Sequence, residues 1–231
     1  GATDTFLHSG TGGQVEWRGG VGNANNRRSG GFAAFGNDVN LTLTDGTTAT
    51  TVARNLAWDG AGFIQDLGEL ILSSRTADSR INLRNSINLN NAVQDVHVVD
   101  NIFSGTDIAE LSGVVSNGNL QKIGPGTLDI SNHGNTINSV IIDFGAVRSP
   151  KEAIIDGPDP FYSFTGGSRN DRAVLEIDNS DGGSNTLTLN SDATDNSAHI
   201  QFDGSGGFAA FGGDVALTIA DENGVVQPSL Q

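Results

Sequence analysis

Apolar residues in this chain come in short alternating runs, each closed by a cluster of Gly, Asn, Asp or Ser, and that pattern leaves few folds open. The runs include "QVEW" at 14–17, "VNLTL" at 39–43, "ELIL" at 69–72, "INL" at 81–83 and 87–89, "VHVV" at 96–99 and "LSGVV" at 111–115. Further on come "TLDI" at 127–130, "INSVII" at 137–142, "AVLEI" at 173–177, "TLTL" at 186–189, "AHIQF" at 198–202 and "VALTI" at 215–219. Between them lie "TDGTT", "SNGN", "SNHGN", "DNSDGGSN" and "DGSGG", residues that accept positive φ and tight reversals. The best helical candidate, Thr48 to Trp58, is rich in Thr and lacks an apolar stripe. The fold class is all-β.

Two architectures use such strands: a sandwich or barrel, and a parallel β-solenoid whose coils each contribute about three strands. Sandwich strands run longer. Short strands with sharp corners favour the solenoid, and Asn-rich corners such as "NSINLNN" at 85–91 suit side-chain ladders between coils. Coils of roughly 20–25 residues would give about ten turns and a rod of about 50 Å. Residues 1–231 are read as one solenoid domain, with an irregular loop excursion around 149–172 that holds Pro150, Pro158, Pro160 and the single Tyr.

The octapeptide "SGGFAAFG" occurs at Ser29–Gly36 and again at Ser205–Gly212. The match extends from Arg28–Asp45 to Gly204–Asp221, an offset of 208 − 32 = 176 residues. Such internal repetition is the mark of arrayed architectures, and the expectation is one structural position reached twice. Phe32, Phe35, Phe208 and Phe211 are expected to fill the core of the repeat, with sugar stacking as the alternative.

The 231 residues carry 12 Lys+Arg against 27 Asp+Glu, a net charge of −15, and neither Cys nor Met. An acidic surface repels phosphate backbones, so nucleic acid is not the expected partner. Without Cys there is no disulfide framework, thiol nucleophile or thiolate metal site. The absence of Met, an initiator included, suggests a processed or excised chain. The first residues lack a charged segment followed by an apolar run, so any signal peptide is expected to have gone or never to have been present, and no window has the apolar length of a transmembrane helix.

Residues Leu120 to Arg148, "LQKIGPGTLDISNHGNTINSVIIDFGAVR", resemble the autotransporter-associated β-strand repeat. Leu120, Lys122, Gly124, Gly126, Thr127, Leu128, Ile130, Ser131, Asn135, Thr136 and Gly145 fall on its pattern, whereas Ile137 replaces the usual aromatic and Val147 the late Leu. Flanking strings extend the resemblance over about residues 28–148 and again 204–220. It implies a parallel β-solenoid passenger exported to the cell exterior as adhesin, matrix or surface-layer material. No translocator barrel follows "VVQPSLQ", so a passenger fragment, a processed product or another export route is expected.

Chemistry-bearing constellations are sparse. His8, His97, His133 and His199 each stand alone, without metal-ligand spacing. The acid pairs Asp95/Asp100, Asp156/Asp159 and Asp171/Glu176/Asp178 are weighed for glycan cleavage, as in β-helix lyases and hydrolases, but the strings of those families are absent. Asp178, Asp181 and Asp203, on Gly-rich turns, are the candidate calcium ligands, with a solvated acidic turn as the alternative. For a Lys–Asn isopeptide crosslink of the kind found in some surface proteins, only Lys122 and Lys151 could supply the amine. The expectation is therefore a non-enzymatic extracellular or outer-surface protein, without a cofactor unless calcium, that forms homo-oligomers by end-to-end strand addition. The alternative is an adhesin segment that binds glycans, with aromatics of the 157–167 loop as the place to look.

Overall fold

The computed structural model describes residues 1–9, 14, 15, 17, 29–45, 53–59, 63–65, 67–155, 161–167, 172–190 and 199–220. It is nearly all β. The elements are β1 (Thr3–His8), β2 (Gly30–Phe32), β3 (Val39–Thr44), β4 (Leu56–Ala57), β5 (Glu69–Leu72), β6 (Ile81–Leu83), β7 (Ile87–Asn88), β8 (Val93–Val98), β9 (Ala109–Leu111) and β10 (Val115–Ser116). They continue with β11 (Asn119–Ile123), β12 (Thr127–Asp129), β13 (Ser139–Ile142), β14 (Gly145–Pro150), helix α1 (Lys151–Ile155), β15 (Phe161–Phe164), β16 (Ala173–Asp178), β17 (Thr186–Asn190), β18 (Ile200–Phe202), β19 (Gly206–Phe211) and β20 (Ala216–Ala220).

These strands fall into three groups. The first face is an eight-stranded sheet in the order β1-β3-β6-β9-β12-β14-β16-β19. The second comprises a three-stranded sheet, β4-β7-β10, and a two-stranded one, β17-β20. The third is a seven-stranded sheet, β2-β5-β8-β11-β13-β15-β18. All pairings between these strands are parallel.

From β3 onward the chain visits the faces in one cyclic order. β3, β4 and β5 make the first circuit, β6, β7 and β8 the second, and β9, β10 and β11 the third. In the fourth circuit, a single bridge from Thr136 to Ser116 stands where a second-face strand would lie, between β12 and β13. In the fifth, α1 takes that place between β14 and β15, and β16, β17 and β18 make the sixth.

Successive first-face partners lie 36, 42, 28, 19, 19, 28 and 33 residues apart, from Thr3↔Val39, Val39↔Ile81, Ile81↔Ala109, Ala109↔Leu128, Thr127↔Ala146, Gly145↔Ala173 and Ala173↔Gly206. Circuits of uniform length are therefore not what this chain uses. Seven intervals of about 4.8 Å give the first face a width of about 34 Å, shorter than the rod expected from 20–25-residue coils.

In-register parallel pairing stacks like side chains over one another, and this builds the core. The column Val39–Ile81–Ala109–Leu128–Val147–Leu175–Phe208 crosses the first face, buried everywhere except at its two ends. On the third face, Leu70–Val96–Lys122–Ile142–Phe164–Phe202 forms a second column, apolar except for one lysine. Polar ladders run beside the columns. Asn40 donates to Asp4 at 3.0 Å, Asn82 to Asn40 at 3.3 Å and Ser112 to Asn82 at 2.8 Å, crossing four rungs. At the corners, Asn117 donates to Asn88 at 2.9 Å, the kind of ladder expected for the 85–91 stretch.

Several expectations are corrected. The 149–172 segment is no simple excursion: Ser149 and Pro150 pair with Ile177 and Asp178, α1 follows, and β15 lies within the third face. Neither α1 nor β15 shows a clear period at this length. Within 48–58, residues 48–52 lie outside the described residues, and Leu56–Ala57 form a strand, in keeping with the missing apolar stripe.

The two octapeptides occupy different sheets. The first copy forms β2 on the third face, followed by β3 on the first; the second forms β19 on the first face, followed by β20 on the second. Each copy makes a strand, a corner and a strand, with Gly36 and Gly212 both at positive φ, 79° and 72°. Local sequence sets that unit. The face on which it lands is the accumulated sum of unequal circuits, so one position reached twice is not the outcome.

Candidate functional site

Phe32 and Phe208 pack partly buried against the core, each in an aromatic cluster. Phe32 meets Trp17 edge-on at 5.6 Å, and Phe208 meets Phe164 at 5.5 Å and Phe202 at 6.0 Å. Phe35 and Phe211 are not core residues, being 77% and 41% exposed. Strand parity explains Phe211, since positions three apart within β19 cannot share one face, whereas Phe35 lies beyond the end of β2. Phe211 instead lies under the Arg148 guanidinium, 3.5 Å from its ring centroid.

That guanidinium belongs to a charged ladder on the first face. Arg148 bonds Glu176 at 2.9 and 3.0 Å and lies 3.6 Å from Asp129, and Arg80 bonds Glu110 at 2.7 Å. Burial pushes the Asp129 carboxyl up to about 6, more than the neighbouring Arg148 lowers it. Glu176, an acid weighed for glycan cleavage, is thus held in an ion pair. Asp156, Asp159 and Asp171 lie outside the described residues, so those pairs have no described geometry.

Asp178 and Asp181 share one corner, but each accepts a local backbone N–H, from Ser180 at 2.8 Å and Gly183 at 3.2 Å. Asp203 follows β18 on another face and accepts from Ser163 at 2.9 Å and Gln201 at 2.6 Å. The structure therefore does not join these three candidates, and among the described residues no group of three or more His, Cys, Asp or Glu could hold a metal. The histidines remain separate: His97 contacts Glu69 at 3.2 Å, His8 contacts Thr44 at 2.9 Å, and the Asn190 amide donates to His199 at 3.1 Å. In the 157–167 loop, Tyr162 and Phe164 are fully buried, so they offer no stacking surface.

What the geometry does provide is an end rung that no described strand covers. β18, β19 and β20 are each outermost in their sheets, paired on one side only among the described residues. Phe208, Val215, Leu217 and Ile219 face the core but are only partly buried, because no described rung lies beyond them. With Ile177, Ala209 and Ala210, the first three line an apolar recess of about 230 Å³. At the opposite end β1, β4 and β2 are likewise outermost in their sheets among the described residues, and Trp17 packs against Phe32 and Phe63 beside β2. Among the described residues no helix is long and apolar enough to cross a membrane. No family model, curated protein or solved structure matches this chain.

Proposed function

We propose that this chain is a parallel β-solenoid that serves as structural material at a bacterial surface, adding end to end through its last rung. The observation that carries the reading is the edge formed by β18, β19 and β20, each outermost in its sheet among the described residues and bordered by half-exposed apolar side chains. An edge of that kind templates further strands unless something blocks it. The cyclic visiting of three faces supports the solenoid, and the resemblance of Leu120–Arg148 to the autotransporter-associated repeat supports an exported, passenger-like setting. Glu176 and Asp178, two of the acids weighed for glycan cleavage, are engaged in an ion pair and a turn, which favours scaffold over enzyme.

The test is light scattering coupled to size-exclusion chromatography over a concentration series, on wild type and on Leu217→Lys. Wild type should grow in mass with concentration, and Leu217→Lys should remain a folded monomer. A wild type that stays monomeric throughout contradicts the reading.

A further inference from the structure

Among the described residues the fourth circuit has only the Ser116–Thr136 bridge on the second face and the fifth has no strand there, so the backbone ladder on that face is interrupted between β10 and β17. Side chains bridge the gap. Lys151, the first residue of α1, is 3% exposed, and its Nζ donates to Asn179 Oδ1 at 2.8 Å and to the Ser184 carbonyl at 2.5 Å. Glu152 Oε1 lies 3.2 Å from the same Nζ. Asn179, in the corner after β16, is 5% exposed, and its Nδ2 donates to the Asp214 carbonyl at 3.0 Å. A buried amine, a fixed carboxamide and a carboxylate thus converge on one point.

We propose that Lys151 and Asn179 join through an intramolecular isopeptide bond, with Glu152 carrying the proton. Glu152 takes one proton from the Lys151 ammonium, and the freed amine lone pair attacks Asn179 Cγ. The carbonyl π pair moves to Oδ1 and then returns. As it returns, the Cγ–Nδ2 bond breaks, the attacking nitrogen gives up a second proton, and Nδ2 leaves as ammonia, which takes the proton held by Glu152. The balance is one ammonium side chain and one carboxamide in, one secondary amide and one ammonium ion out. Neither an oxidant nor a co-reactant is needed. The bond ties α1 to the next circuit at the level where the ladder is interrupted.

Intact-mass spectrometry of the purified 231-residue chain tests this. The expected mass is about 17 Da, one ammonia, below the sequence mass, with a branched peptide joining residues 151 and 179 after proteolysis. Lys151→Arg and Asn179→Ala should restore full mass. Glu152→Gln, at a partly exposed position, should fold with an unchanged circular dichroism spectrum and form the bond at least tenfold more slowly. Full sequence mass in folded wild type after prolonged warm incubation would overturn the proposal. So would a loss that persists in Lys151→Arg or reverses in mild base, since both mark a succinimide at Asn179–Ser180.

Discussion

At the scale of single residues, Lys122 is the least expected feature of the core. It stands between Val96 and Ile142 in the third-face column, fully buried, and its Nζ donates to the Gly124 and Phe144 carbonyls at 2.6 and 2.7 Å. Truncation to Ala would open a cavity and orphan two corner carbonyls, so Lys122→Ala should cost about 3 kcal/mol in chemical denaturation. Burial lowers the Lys122 ammonium from 10.5 to about 7, against the pull of Asp100 and Asp143. Between those values the unfolded chain binds more protons than the folded one, so stability should rise with pH across that window and fall as pH drops through 7. Asp129, raised by burial to about 6, acts the other way in a lower window: its contribution is present below 3.8 and lost as pH rises through 6. Thermal melts from pH 6 to 10 should show a rise in wild type that Lys122→Met removes. Alternation along "LQKI" puts Lys122 on the same side as buried Leu120, so its burial was within reach of the sequence. The meeting of Lys151 with Asn179 was not, because it depends on a five-residue helix standing in for a strand.

At the scale of elements, strand existence was readable and strand placement was not. "ELIL" and "AVLEI" fold close to where alternation put them, because period-2 burial is a local property, and "INL" at 81–83 is a strand buried at all three positions. Gly145–Pro150 and Phe161–Phe164 lack that clean alternation and take their conformation from neighbours already in the ladder. The duplicated octapeptide separates the two effects. Gly36 and Gly212 share positive φ, but a Cβ at Gly36 meets nothing within 4 Å, while one at Gly212 would lie 2.5 Å from Ser180 Cβ. Gly36→Ala should therefore cost about 1 kcal/mol for the backbone conformation alone. Gly212→Ala should cost about 2 kcal/mol or more, since the adjoining corner must also shift. Paired urea titrations measure the difference, and equal costs would mean that the second corner does not pack on Ser180.

At the scale of the whole molecule, circuits of 19 to 42 residues keep the columns in register, the differences in length falling between the paired strands. No described strand lies beyond β18, β19 and β20, and the proposed assembly runs through that rung. A charge placed in the apolar recess, as in Leu217→Lys, should abolish association while leaving the melting temperature within about 3 °C of wild type, because the site is already half-exposed. Negative-stain electron microscopy of the wild-type chain, with and without calcium, tests the central claim most directly. End-to-end addition should give filaments that lengthen with concentration, independently of calcium, and are lost in Leu217→Lys. Uniform short particles at every concentration would contradict it.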